Sequence, residues 1–302
     1  MKRLTPALVA RVCATAGVAY ALSSAAQAPQ PTLDKIKAAN AIAIGYRETS
    51  VPFSYVDAHG QVIGFSQDIC NKVIDAVKAR TKHPALKVRF VPVTSQNRIP
   101  LIENGAVDLE CGVTTNVRAR RGDVAFSYTF FVASTRLLTH RHSGIHDFAD
   151  LAGRTVVTNR GTTSERILRA MNAHKQMGMQ ILSAKDYAQG RALLESGRAA
   201  AYMIDDVLLQ GVRSLTRHPD DWVLVGTPQS VEPYALVMRT GDPTFLQLVD
   251  DTLGALMKHG DLAAMYSKWF EHSVPPNGVN LHFPMTPQLR ALYASPSDKA
   301  FD

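Results

Sequence analysis

Residues Thr94–Ser127 read TSQNRIPLIENGAVDLECGVTTNVRARRGDVAFS. Ser95 and Arg98 stand at the head of a short amphipathic helix, and an apolar strand is expected over Ala106–Cys111. A small-residue turn, Gly112–Asn116, and a basic cluster, Arg118, Arg120 and Arg121, follow it. Guanidinium groups beside Ser and Thr hydroxyls suit a small dianion, because arginine presents a planar fork of donors that pairs with a carboxylate through two bonds. A solvated basic face is the plain alternative for the cluster, and at most one or two of its arginines can point into a cleft.

Upstream, Ala41–Tyr46 reads as a strand with Arg47-Glu48-Thr49-Ser50 at its carboxyl end. Ligands gather outside the carboxyl ends of strands in open α/β sheets, which makes Arg47 a candidate. Ser66–Lys82 has helical periodicity and Lys87–Val93 is a strand. Strands and helices alternating at this interval indicate βαβ units and a parallel sheet.

Downstream, the extended run FFVASTRLLT (Phe130–Thr139) breaks that rhythm and leaves the first α/β unit. A second series follows: a short helix over His146–Leu151 and strands over Thr155–Thr158, Met179–Leu182 and Ala199–Ile204. Helices begin at Gly161-Thr162-Thr163-Ser164-Glu165, at Tyr187 and at Asp205-Asp206. EPYALVMR (Glu232–Arg239) is read as the return crossing, before helices Pro243–His259 and Asp261–Phe270 and a Pro- and Asn-rich tail beyond Pro275. The fold class expected is α/β, with two lobes joined by two hinge strands and a cleft between them. Lobe 1 takes residues 29–133 and 235–302, lobe 2 residues 134–234.

Residues 1–28 carry the marks of an export signal: Lys2 and Arg3, an apolar run over Val12–Leu22, and the small-x-small pattern Ala26-Gln27-Ala28 with cleavage after Ala28. Loss of Lys2, Arg3 and Arg11 lowers the formal charge from +7 to +4. The remaining bases are scattered rather than striped, which argues against a nucleic-acid partner. Cys13 leaves with the signal, and export permits a disulfide between Cys70 and Cys111, which the sequence leaves open.

Thr162 and Glu165 form a capping box, and such a helix start also binds carboxylates or phosphates. Asp205, at a strand end, suits an ammonium group or a helix cap. His140, His142 and His146 lie in a polar linker without a closed ligand pattern, so no metal and no cofactor are expected. No nucleophile elbow, phosphate-binding loop, dinucleotide fingerprint or zinc-protease motif occurs.

The blocks GYRETSVPFSY (Gly45–Tyr55), TSQNRIPLIENG (Thr94–Gly105), DLECGVTTN (Asp108–Asn116), GTTSE (Gly161–Glu165), LESGRA (Leu194–Ala199) and MIDD (Met203–Asp206) span nearly the whole exported chain. With them the chain resembles the periplasmic solute-binding proteins of polar amino-acid ABC transporters, family 3, above all the glutamate/aspartate-binding members. The resemblance implies the type II periplasmic binding protein fold. It also implies a periplasmic, monomeric, non-enzymatic protein that closes over glutamate or aspartate and passes it to a membrane permease. Carried over by position, Arg47, Ser95 and Arg98 would hold the ligand's side-chain carboxylate. Thr115 and Arg120 would hold its α-carboxylate, helped by Thr162 and Thr163, and Asp205 would accept its α-ammonium. Arg120 is preferred to its neighbours because it stands six residues before Phe126, as in the family's Arg…Phe-Ser spacing. Val113 replaces a family Ser and Tyr187 a family His, which leaves glutamate, aspartate or another acidic ligand open. The alternatives are an enzyme on the same scaffold, of the cyclohexadienyl or prephenate dehydratase type, and a ligand-sensing module.

Overall fold

The computed structural model describes residues 30–275 and 278–300; the export signal expected over residues 1–28 lies outside the described residues. The first stretch contains α1 (Thr32–Ala39), β1 (Ala41–Tyr46) and three short strands, β2 (Thr49–Ser50), β3 (Ser54–Val56) and β4 (Val62–Ile63). It continues through α2 (Phe65–Thr81), β5 (Lys87–Pro92), α3 (Arg98–Glu103), β6 (Leu109–Thr115) and β7 (Val124–Ala133). The second series is β8 (Thr135–His140), β9 (Thr155–Asn159), α4 (Thr163–His174), β10 (Gln180–Ala184), α5 (Tyr187–Glu195), β11 (Ala201–Asp205), α6 (Asp206–Ser214) and β12 (Trp222–Val225). The chain then returns through β13 (Glu232–Arg239) to α7 (Pro243–His259), α8 (Asp261–Phe270), β14 (Ser273–Val274), β15 (Val279–Asn280) and α9 (Pro287–Ala294).

Two five-stranded sheets result, in the orders β5-β1-β6-β13-β7 and β10-β9-β11-β8-β12. Each has three parallel strands, β5-β1-β6 in one and β10-β9-β11 in the other. The remaining strands run antiparallel, so the sheets are mixed rather than wholly parallel. The reason lies in the connections: a strand that passes from one lobe to the other enters its sheet without a crossover helix, and only a βαβ unit enforces parallel pairing. β7 ends in the first sheet at Ala133 and β8 begins in the second at Thr135, so one crossing is almost a direct strand-to-strand step.

The expected turn at Gly112–Asn116 is instead the end of β6 as far as Thr115, where Thr114 and Thr115 pair with Ala235 and Tyr234 of β13. Small polar residues signal a turn only where the backbone has no ladder partner, and here β13 supplies one. Gly112 still has a local reason: a side chain there would overlap the Glu110 carboxylate and press on Arg47. The disulfide that the sequence left open is formed, joining Cys70 of α2 to Cys111 of β6 across a Cα–Cα distance of 6.2 Å.

Aromatic rings fill the core under the first sheet. Phe131 lies fully buried against Phe53, Tyr234, Tyr266 and Phe270, with centroids 4.9–6.0 Å apart in edge-to-face and stacked pairs. β13 lies between β6 and β7 and carries Tyr234 into this cluster, tying the return crossing to the core.

Candidate functional site

The carboxyl ends of the parallel strands of both sheets face one another. From the first lobe come Arg47 just after β1, Ser95 after β5 and Thr115 at the end of β6. From the second come Thr162 after β9, Tyr187 after β10 and Asp205 at the end of β11. Ser95, Arg98, Thr115, Thr162, Thr163 and Asp205 line one narrow, nearly closed cavity, completed by Val113, Ser164, Tyr187 and apolar contacts from Ile204 and Leu208.

The other two sequence candidates border it. Arg47 stacks its guanidinium over the Tyr187 ring, 5.5 Å from the centroid. Arg120 donates from Nη1 to the Thr115 carbonyl at 2.9 Å and from Nη2 across the cleft to the Gly161 carbonyl at 3.4 Å. Gly161 has φ +76°, and a Cβ there would stand 3.0 Å from Gln96 Cα and Ser95 O. Glycine therefore suits both the left-handed backbone and the close approach of the lobes.

The lobe 1 end of the cavity is rich in donors without acceptors. Arg47 and Arg98 are 2% and 3% exposed. Yet Arg47 Nη1, Arg98 Nε and Ser95 Oγ have no hydrogen-bond partner in the protein. Arg98 makes one long contact, Nη1 to the Val113 carbonyl at 3.5 Å. Burial first, then the nearby Arg120 charge, pushes the Arg98 guanidinium down to about 9, although Glu110 opposes this. Arg120 is lowered by burial too, with Glu232 and Glu110 opposing. Native proteins seldom leave buried donors unpaired, because each costs about 1–3 kcal/mol or more when charged. The economical completion is an anion.

The lobe 2 end is saturated. Asp205 accepts from Tyr234 Oη on one oxygen and from Thr135 Oγ1 and Ser164 Oγ, both at 3.3 Å, on the other. Burial, then the neighbouring Glu232 charge, pushes its pKa up to about 7, against the pull of the Tyr234 hydrogen bond. Thr162 caps α4 by accepting from Glu165 N at 3.1 Å, and its hydroxyl donates to Asn159 O at 2.7 Å. Glu165 reaches back to Gly161 N at 2.8 Å rather than to the cap residue. Thr163 Oγ1 donates to Glu232 Oε2 at 2.7 Å. With both hydroxyls engaged, what this helix start offers a ligand is the backbone N–H groups of its first turn.

Two buried carboxylates stand near the site's arginines beyond the sequence-nominated ligand-binding residues. Glu232 is the sole acid in EPYALVMR, and its place in an extended apolar run was the available signal. Glu110, fully buried in β6, accepts from Thr114 Oγ1 at 2.8 Å and leaves Oε1 unpartnered. Among the described residues no group of His, Cys, Asp and Glu is placed to hold a metal; His140 instead packs edge-on against Trp222, 5.6 Å away.

Residues 42–272 match the family of bacterial extracellular solute-binding proteins, family 3. The chain belongs to this family. Within it, the chain is 45% identical over its full length to the glutamate/aspartate import solute-binding protein of Salmonella typhimurium, covering 99% of that protein. It is 48% identical to the L-glutamate/L-aspartate-binding protein of Pseudomonas aeruginosa, over 99% of this chain and 98% of that one. Among solved structures, an arginine-binding protein mutant from T. maritima superimposes with a TM-score of 0.71 at 24% identity, over 80% of this chain and 99% of that one. An ancestral amino acid-binding protein described as a precursor of cyclohexadienyl dehydratase gives 0.68 at 28% identity, over 79% and 99%. The architecture is the two-lobed type II α/β fold of this family.

Proposed function

We propose that this family 3 solute-binding protein closes its lobes over an acidic L-amino acid, glutamate or aspartate, and delivers it to the permease of an ABC transporter. The observation that carries the reading is the pair of buried arginines, Arg47 and Arg98, each with a buried donor, Arg47 Nη1 and Arg98 Nε, that finds no acceptor in the protein. Arg47, Ser95 and Arg98 take the side-chain carboxylate. Thr115, Arg120 and the start of α4 at Thr162 and Thr163 take the α-carboxylate, and Asp205 takes the ammonium group. The full-length relatives are named for import of the same two amino acids, which supports this reading over the dehydratase alternative. Ligand groups from both lobes are needed because only a ligand that contacts both can favour the closed arrangement.

The proposed lobe 2 is residues 134–234, reached and left through the β7–β8 and β12–β13 passages, with β13 itself pairing in the first sheet. The working form is a periplasmic monomer released by cleavage after Ala28; the mass of the exported chain tests the cleavage. The ligand is tested by thermal denaturation against the common L-amino acids and dicarboxylic analogues. A ligand at a hundred times its Kd adds about 2.7 kcal/mol of stability, a shift of several degrees. Shifts confined to glutamate and aspartate are expected. Equal shifts with glutamine or neutral amino acids would overturn the proposal.

A further inference from the structure

α9 lies on β7 through buried Leu289 and Tyr293, and Tyr293 Oη donates to the Phe130 carbonyl at 2.9 Å. Beyond the helix the chain does not leave the surface. Thr129 N donates to Ser297 O at 2.9 Å, and Asn116 Nδ2 donates to Asp298 O at 2.7 Å. Arg121 Nη2 donates to that same carbonyl and to Asp298 Oδ2 at 3.2 Å, while Arg121 Nε donates to Asn116 Oδ1 at 3.0 Å. Asn116 and Arg121 are the sequence neighbours of Thr115 and Arg120. The short 3₁₀ turn that carries Arg120, Arg118–Arg120, is thus fastened at both flanks to one carbonyl of the C-terminal segment.

We infer that residues 287–299 form a strap whose hold on Asn116 and Arg121 positions Arg120 for the ligand. The inference rests on the proposed role of Arg120 at the α-carboxylate. The ion pair itself is exposed, with Arg121 and Asp298 side chains at 37% and 52%, so it adds little stability. Its consequence is geometric. Arg120 must reach from lobe 1 toward Gly161 in lobe 2, and an arginine held about 0.5 Å from its productive place loses much of a bidentate contact.

The test is calorimetric titration of L-glutamate into the purified chain and into Arg121→Ala, Arg120→Ala and the double variant. Arg121→Ala is expected to weaken glutamate binding about three- to tenfold, the coupling seen between contacting residues, while the unliganded melting temperature stays nearly unchanged. Arg120→Ala is expected to weaken it more, and adding Arg121→Ala to it to change nothing further. A chain ended after Ser295 should behave as Arg121→Ala; should it not fold, the point variants decide alone. Wild-type affinity in Arg121→Ala would overturn the inference. So would a loss that adds in full to that of Arg120→Ala, since the strap would then act elsewhere. Unchanged affinity in Arg120→Ala alone would overturn the assigned role of Arg120, and the strap's purpose with it.

Discussion

At one end of the cleft Arg47 and Arg98 lie almost wholly buried with donors that no protein atom accepts. At the other, equally buried Asp205 already receives three hydroxyl hydrogen bonds, from Tyr234, Thr135 and Ser164. Both ends carry the desolvation cost of a buried charge, yet only the second offsets it from within the protein. The donor-rich end is therefore destabilising until an anion arrives and supplies most of the discrimination. The saturated end is preorganised: its carboxyl group is held in place, and under the proposed assignment it loses a proton to meet an ammonium group.

The comparison is broken most sharply at Arg98. Arg98→Ala is expected to cost glutamate binding about 2–5 kcal/mol, because it leaves the ligand carboxylate short of its buried partner. Arg98→Met should abolish binding equally while raising the melting temperature of the unliganded protein, since it removes an uncompensated buried charge and keeps the volume. A variant that loses binding and stability together would mean that Arg98 is a structural ion-pair member.

Asp205→Asn addresses the other end and should weaken glutamate binding about ten- to a hundredfold by calorimetry, with little change in the unliganded melting temperature, because the amide keeps a carbonyl acceptor for the surrounding hydroxyls.

A pH series sharpens the same contrast. In the folded chain Asp205 titrates at about 7, whereas an unfolded aspartate titrates at about 3.9. The native state holds the extra proton between those values. This group's contribution to unliganded stability is accordingly full below the unfolded value and is lost as pH rises through 7. Affinity runs the opposite way, since the ammonium group needs the carboxylate. Glutamate binding should weaken by up to about tenfold per pH unit below 7, with proton release on binding, and Asp205→Asn should flatten the profile. A flat wild-type profile from pH 5 to 8 would contradict the placement of the ammonium at Asp205.

The smallest effect is expected at the helix start. Thr162→Ala removes the cap of α4 and should lower stability by about 1 kcal/mol, measured by denaturant melts, with a comparably modest loss of affinity because the backbone N–H groups remain.

Most of the scaffold was legible because apolar periodicity and breaker residues act locally. α5 at Tyr187–Glu195, β13 at Glu232–Arg239 and both helices after it have the limits their patterns imply. What escaped depends on partners distant in sequence. The end of β6 reads as a turn until β13 pairs with it, and the strap is visible only once Asp298 meets Asn116 and Arg121. At the site, Arg47, Arg98 and Asp205 could be nominated because they stand at strand ends or at a helix head. Glu232 was not, because an acid inside an extended apolar run signals burial without naming the partner, Thr163, that brings it to the cleft. Tyr187 stood out only as a departure from the family pattern, and its packing on Arg47 is a contact between lobes.

The most direct measurement compares glutamate with glutamine in calorimetric titrations of the wild-type protein. The two ligands differ only in the group presented to Arg47 and Arg98, so unpaired buried guanidinium groups predict glutamine binding at least about a hundredfold weaker. Equal affinities would contradict the assignment of that end of the cleft to a carboxylate.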